Sequence, residues 1–183
     1  MTILILNGPN LNRLGFRKPE IYGSKTMAQI LIEIQQKWPE VHFVYKQSNH
    51  EGDLIDWIQA FEGDGIVLNA GGYTHTSVAL RDAVEDSRIP VVEVHISDIT
   101  QREPFRRTSL LTDVCAKSII GIGTDCYAQA VKWIADEKNR EFSLAFSAQS
   151  EYLGRKCGNG KSDRRRHETA DRLRERQRRE STR

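Results

Sequence analysis

Cysteine is scarce: the 183 residues hold three, Cys115, Cys126 and Cys157, odd in number and widely spaced. That argues against a disulfide framework and against a Cys-rich zinc site. Long apolar runs are missing as well. No stretch approaches the roughly 20 residues that a membrane helix needs. The opening MTILILNGPN has no basic segment followed by a long apolar one, so no secretory signal is expected. The expectation is a soluble, cytoplasmic protein with no membrane partner. There is no G-x-G-x-x-G fingerprint, no Walker A lysine and no G-x-S-x-G elbow. Dinucleotide, P-loop and serine-hydrolase readings therefore lose their main sequence support.

A charge of one sign is lacking only on average. The net charge is +2, but residues 138–183 carry 14 basic and 7 acidic side chains, a net of +7. The remainder is mildly acidic, at −5. Composition thus divides the chain into a domain over 1–137 and a basic C-terminal extension over 138–183, partly helical or disordered.

What is present up to residue 137 is an alternation of short apolar runs and amphipathic segments. ILIL (3–6), VHFVYK (41–46), GIVLN (65–69), PVVEVH (90–95) and SIIGIG (118–123) read as strands. Between and after them, 26–38, 50–62, 77–86 and 124–137 read as helices, with apolar side chains at helical spacing. Short links between strand and helix imply right-handed βαβ units on a parallel sheet. Four strands are continuously apolar, as strands covered on both faces are. VHFVYK alternates and is expected at an edge. The expected architecture is α/β, a flavodoxin-like three-layer fold with a five-stranded parallel sheet in the order 2-1-3-4-5.

Such sheets bind ligands beyond the carboxyl ends of their strands. There the sequence places Asn7-Gly8-Pro9-Asn10 and a long loop to Gly23, then Asn69-Ala70-Gly71-Gly72-Tyr73-Thr74-His75. Glu93 and His95 alternate on the fourth strand and share a face. Ser97, Arg102 and Arg106 follow. Singly each has an ordinary structural role: turn glycines, a helix-capping histidine, solvated loop residues. Jointly they gather two imidazoles, several guanidiniums, carboxamides and a phenol, a set suited to a small, anionic, polyhydroxylated ligand.

NGPNLNRLG, RKPEIYG, QSNHEGDLIDWI, LNAGGYTHTSVALRD and EVHISD followed by RxxFR together resemble type II 3-dehydroquinate dehydratase, over about residues 2–137. The resemblance implies reversible loss of water from 3-dehydroquinate, with no metal and no organic cofactor. It implies a homo-oligomer, a dodecamer of four trimers. It makes Tyr22 the base, and Arg17 the cation that stabilises its phenolate. A free phenol titrates near 10, and a neighbouring guanidinium lowers such a group by about one to three units. It makes His95 the general acid, oriented by Glu93, and gives Asn10 the support of the enolate. It assigns Asn69 and His75 to substrate hydroxyls, Ser97 and the backbone of Ile96 to a carboxylate, and Arg106 to a ring hydroxyl. Asp82 matches a residue that reaches a neighbouring subunit's site, and Arg102 an arginine that contacts the lid. The long loop is then a lid that delivers the base. Lys18, Asp98, Thr100, Gln101 and Pro104 depart from the family pattern without removing a catalytic group.

Two other readings bear on the same residues. The basic extension suggests nucleic acid, but it lacks the interleaved aromatics that stack on bases, so a nucleic-acid partner is not expected. A hydrolase using Ser77 or Ser97 is disfavoured because Ser77 opens a helix, where serine serves as a cap.

Overall fold

The computed structural model describes residues 1–16 and 23–144. Five parallel strands form one sheet: β1 (Thr2–Asn7), β2 (His42–Gln47), β3 (Gly65–Asn69), β4 (Val91–His95) and β5 (Lys117–Ile120). Their order is β2-β1-β3-β4-β5, as expected. Helices α1 (Met27–Lys37), α2 (Glu51–Ala60) and α3 (Val78–Glu85) connect them, and residues 125–138 form a fourth, α4. Residues 1–138 make one compact unit. The second unit begins at Asn139; of it, residues 139–144 are described and are helical.

The period-2 rule sorts the core into two layers. Ile3 and Ile5 of β1, Val67 of β3, and Val92 and Val94 of β4 face α1 and α4. There they meet Met27, Ile30 and Ile34 from α1, and Tyr127, Ala130, Val131 and Ile134 from α4. Leu4, Leu6, Ile66, Leu68 and Val91 point the other way, onto Leu54 and Ile58 of α2 and Leu80 and Val84 of α3. Each such buried aliphatic side chain contributes about 1.5–3 kcal/mol of transfer free energy. A capping box starts α1. The backbone N–H of Thr26 donates to Gln29 Oε1 at 2.9 Å, and the Gln29 N–H donates to Thr26 Oγ1 at 3.4 Å.

Two edge details differ from expectation. β2 does lie at an edge, but Phe43 packs on one layer and Val44 on the other, so both its faces are partly covered. β5 is the opposite edge, only half-buried, and it stops at Ile120. Gly121 and Gly123 have φ of 80° and 64°, a left-handed turn that leads the chain off the sheet toward α4. The apolar run SIIGIG therefore serves as a short edge strand followed by a turn.

Candidate active site

The carboxyl ends of β1, β3 and β4 lie side by side, and their loops close on one another. The Gly8 N–H donates to Asn69 O at 2.7 Å, continuing the β1–β3 ladder by one residue. Glycine is required there: a Cβ on Gly8 would sit 2.4 Å from Ala70 O. Gly71 packs on Pro9 with a φ of 59°. After Pro9, Asn10 adopts φ 67°, ψ −2°, the left-handed conformation that asparagine tolerates. Asn49 holds it there, since Asn49 Oδ1 accepts from the Asn10 N–H at 2.9 Å. Asn49 Oδ1 also accepts from Gln47 Nε2 at 3.2 Å, and Asn49 O from the Tyr73 hydroxyl at 2.8 Å. The stretch 8–16 is therefore ordered, with a 3-10 turn at Leu11–Arg13, and is not the uniform loop that its composition suggests.

The resulting cleft has a volume of about 140 Å³. Of the residues singled out in the sequence, Asn10, Asn69, His75, His95, Ile96, Ser97, Arg102 and Arg106 line it. Glu93 lies behind His95, fully buried. Asp82 does not reach this cleft; it is exposed on α3. Arg17 and Tyr22 fall outside the described residues. A wider hollow of about 670 Å³ at the other end of the sheet, between 58–64 and 83–89, has no imidazole in its lining.

Below the cleft lies a buried amide–phenol chain. Tyr127 donates its hydroxyl to Asn7 Oδ1 at 2.8 Å and accepts from Asn69 Nδ2 at 3.0 Å. Asn69 Oδ1 accepts from the Gly71 N–H at 3.3 Å, and Asn7 Nδ2 donates to Met27 Sδ at 3.3 Å. Burial pushes the Tyr127 phenol well above its ordinary range, so it stays a donor. Among the described residues, Asn69 thus has its oxygen and one N–H engaged and a second N–H without a partner.

In their neutral forms the two imidazoles favour opposite tautomers, each set by its partner. His95 Nε2 lies 2.8 Å from Glu93 Oε1. Burial alone would push the Glu93 carboxyl up. The hydrogen bond and charge of His95, with hydroxyls of Ser109 and Thr74, overcome it and bring it to about 2. An ionised carboxylate only accepts, so Nε2 carries the proton and Nδ1 is the atom left for a ligand. His75 Nδ1 lies 2.8 Å from Thr108 O, a carbonyl that also only accepts. There Nδ1 carries the proton and Nε2 is left. Across the cleft, Arg102 Nη1 donates to Ser97 Oγ at 3.3 Å, and Arg102 Nε lies 3.4 Å from Glu103. The guanidinium of Arg106 lies over the Phe105 ring, and its Nε lies 3.6 Å from Glu103 Oε2, with no hydrogen-bond partner among the described residues.

Three other possible nucleophiles, Ser77, Cys115 and Cys126, are capped or muted by their surroundings. Ser77 Oγ accepts from the Leu80 N–H at 2.8 Å as the cap of α3. Burial pushes the Cys115 and Cys126 thiols up to about 12, which removes them as nucleophiles. Among the described residues, no helix is long and apolar enough to cross a membrane, and no group of three His, Cys, Asp or Glu is placed to hold a metal ion.

Sequence reasoning missed Asn7, Asn49, Thr74, Ser109, Thr112, Ser118 and Tyr127 as supports of the site. Tyr127 falls within the stretch 124–137 that reads as a helix, where nothing marks its hydroxyl for a role in the site. The one available signal was the cost of burying Glu93, which demands donors without saying which.

The Dehydroquinase class II family model matches residues 1–135. The 3-dehydroquinate dehydratase of Azorhizobium caulinodans is 51% identical over 137 residues, covering 73% of this chain and 93% of that protein. That of an Exiguobacterium species is 51% identical over 133 residues, covering 72% and 92%. The crystal structure of type II dehydroquinase from Butyrivibrio crossotus superposes with a TM-score of 0.71 at 42% identity, covering 74% of this chain and 97% of that one. The Propionibacterium acnes type II dehydroquinase gives a TM-score of 0.70 at 34% identity, covering 74% and 96%. The matched span, the sheet order and the cleft agree: the chain belongs to the class II dehydroquinase family.

Proposed function

We propose that this chain is a hydro-lyase that converts 3-dehydroquinate to 3-dehydroshikimate and back, with Tyr22 as base and His95 as acid. The observation that carries the reading is the Glu93–His95 pair at the end of β4. It presents one imidazole nitrogen to a cleft that also holds arginines and donor amides. Elimination requires three things: removal of a proton next to a ketone, a place for the enolate oxygen, and a proton for the departing hydroxide. Tyr22, assisted by Arg17, takes the first proton, and the C–H electron pair moves into the enolate. Asn10 supports the enolate through a water or direct hydrogen bonds. His95 acts as the imidazolium: its Nε2–H stays on Glu93 while the Nδ1 proton passes to the leaving hydroxyl as the C–O bond breaks, so water departs, the double bond forms and the neutral Nε2–H ring remains. Asn69 and His75 hold ring hydroxyls, Ile96 and Ser97 the carboxylate, and Arg106 a further hydroxyl. No cofactor takes part.

The family resemblance carries the rest of the proposal. The enzyme works in aromatic amino acid biosynthesis or in quinate breakdown, in the cytoplasm, as a dodecamer of four trimers. Asp82, away from its own cleft, serves a neighbouring subunit's site. Residues 1–137 are the catalytic domain, and 138–183 a dispensable basic extension. Deleting 139–183 is expected to leave kcat within about twofold, a change of ~0.4 kcal/mol in the barrier. A collapse of turnover in the folded truncation would reject that division.

The direct test mixes purified protein with 3-dehydroquinate and follows near-ultraviolet absorbance, because the product has a conjugated enone carboxylate that the substrate lacks. A steady rise that serine-directed reagents do not block is expected. Folded, oligomeric protein that produces no rise would reject the lyase.

A further inference from the structure

The two oxygens of Glu93 have different surroundings. Oε1 accepts from His95 Nε2 at 2.8 Å, and from the hydroxyls of Thr74 and Ser109 at 2.6 Å each. Oε2 meets no imidazole; it accepts from Thr112 Oγ1 at 2.7 Å and Ser118 Oγ at 2.8 Å. The four hydroxyls come from three stretches of chain: the turn after β3, the strap 108–112, and β5. Each hydroxyl has one proton to give. Ser109 accepts the N–H groups of Leu111 at 3.0 Å and Thr112 at 3.2 Å, which leaves its own proton for the carboxylate. Thr74 and Ser109 oxygens are also 2.9 Å apart, but the carboxylate is the stronger acceptor for both protons. Glu93 is thus an acceptor on every side, and a proton on it would push one of five donors away.

The strap also reaches the second imidazole. Thr108 O accepts from His75 Nδ1, and the Leu110 N–H donates to Thr74 O at 2.8 Å. The terminal torsion of a glutamate is broad and two-fold, so one anchored oxygen does not fix the plane of the carboxylate. The two hydroxyls on Oε2 supply the second anchor.

We propose that Thr112 and Ser118 are positioning residues for the elimination: by holding Glu93 Oε2 they keep Oε1 aimed at His95 Nε2–H, and so reserve Nδ1 for the substrate. Neither residue lines the cleft, so neither acts by touching the ligand. The inference rests on the role given to His95 in the proposed reaction.

The test is the double variant Thr112→Val/Ser118→Ala in the full chain, with Thr112→Ser as the conservative control. Nitrogen-15 shifts of the neutral His95 ring report its tautomer without any need for turnover. The wild type is expected to be the Nε2–H form. The double variant should show both tautomers, and kcat should fall about tenfold with KM within about twofold. Thr112→Ser should match the wild type in both readouts. A double variant with only the Nε2–H tautomer, or with mixed tautomers and unchanged kcat, overturns the proposal. If the double variant fails to fold, Ser118→Ala and Thr112→Val are each expected to show part of both effects, and wild-type values in both singles overturn it. A wild type that leaves 3-dehydroquinate unchanged would reject the lyase, while the tautomer measurement still judges the anchoring by itself.

Discussion

The hydroxyl of Tyr127 and the side-chain amide of Asn69 are hydrogen-bonded at 3.0 Å, which ties the core of α4 to the floor of the cleft. Tyr127 in turn donates its hydroxyl to Asn7 Oδ1. Tyr127→Phe would leave a buried carboxamide oxygen without its donor and a buried N–H without its acceptor. Such groups cost about 1–3 kcal/mol each when unsatisfied. The variant is expected to lose stability by about 2 kcal/mol in urea unfolding. Because Asn69 is then free to turn, KM for 3-dehydroquinate should rise more than kcat falls. Wild-type stability would show that the chain of amides carries no energy.

Glu93 makes acid stability a second prediction. Its carboxyl titrates at about 2 in the folded protein, against 4.5 for an ordinary glutamate. A depressed pKa means that the folded state releases the proton more readily than the unfolded chain does. The stabilisation is therefore complete above about pH 4.5 and is lost as the pH falls toward 2. At ~1.4 kcal/mol per unit, it amounts to about 3 kcal/mol. Asp64 is depressed as well, first through the Thr2 backbone N–H, so the wild type alone mixes the two groups. Comparing the wild type with Glu93→Gln removes that contribution. The stability gap between them should narrow from about pH 5 to about pH 2.5. A gap that stays constant would mean that folding does not depress the Glu93 carboxyl.

Gly8→Ala probes the junction of the β1 and β3 loops. The added methyl would meet Ala70 O at 2.4 Å and Ala70 C at 2.7 Å, both backbone atoms that no rotamer change moves. Overpacking of this kind costs about 1–3 kcal/mol. The loop would have to lift, carrying Asn10 with it, so turnover is expected to fall by more than the loss of folded protein accounts for. Unchanged melting temperature and rate would show that the loop yields freely.

Much of this was legible in the chain. Apolar runs and helical stripes were enough to order five strands, because parallel strands covered on both faces leave few polar positions. Glu93 and His95 were recognisable as a pair, since a spacing of two on a strand puts them on one face. The extent of β5 was misjudged because SIIGIG has the apolarity of a strand throughout. Gly121 and Gly123 instead take left-handed conformations, and the strand stops at Ile120. The donors around Glu93 were illegible for another reason. Thr74, Ser109, Thr112 and Ser118 come from separate segments, and isolated hydroxyls in turns leave no periodic trace. Asn49 was hidden likewise, as it acts on Asn10 from a distant loop.

The central claim is a stepwise elimination in which Tyr22 removes the proton and His95 releases the hydroxide. Its most direct measurement is deuterium incorporation at the carbon next to the ketone of 3-dehydroquinate in heavy water, for the wild type, Tyr22→Phe and His95→Ala. The account predicts that His95→Ala exchanges that proton while forming almost no product, because the enolate forms and returns. Tyr22→Phe should neither exchange nor dehydrate. Exchange by Tyr22→Phe at the wild-type rate, or normal dehydration by His95→Ala, would contradict it.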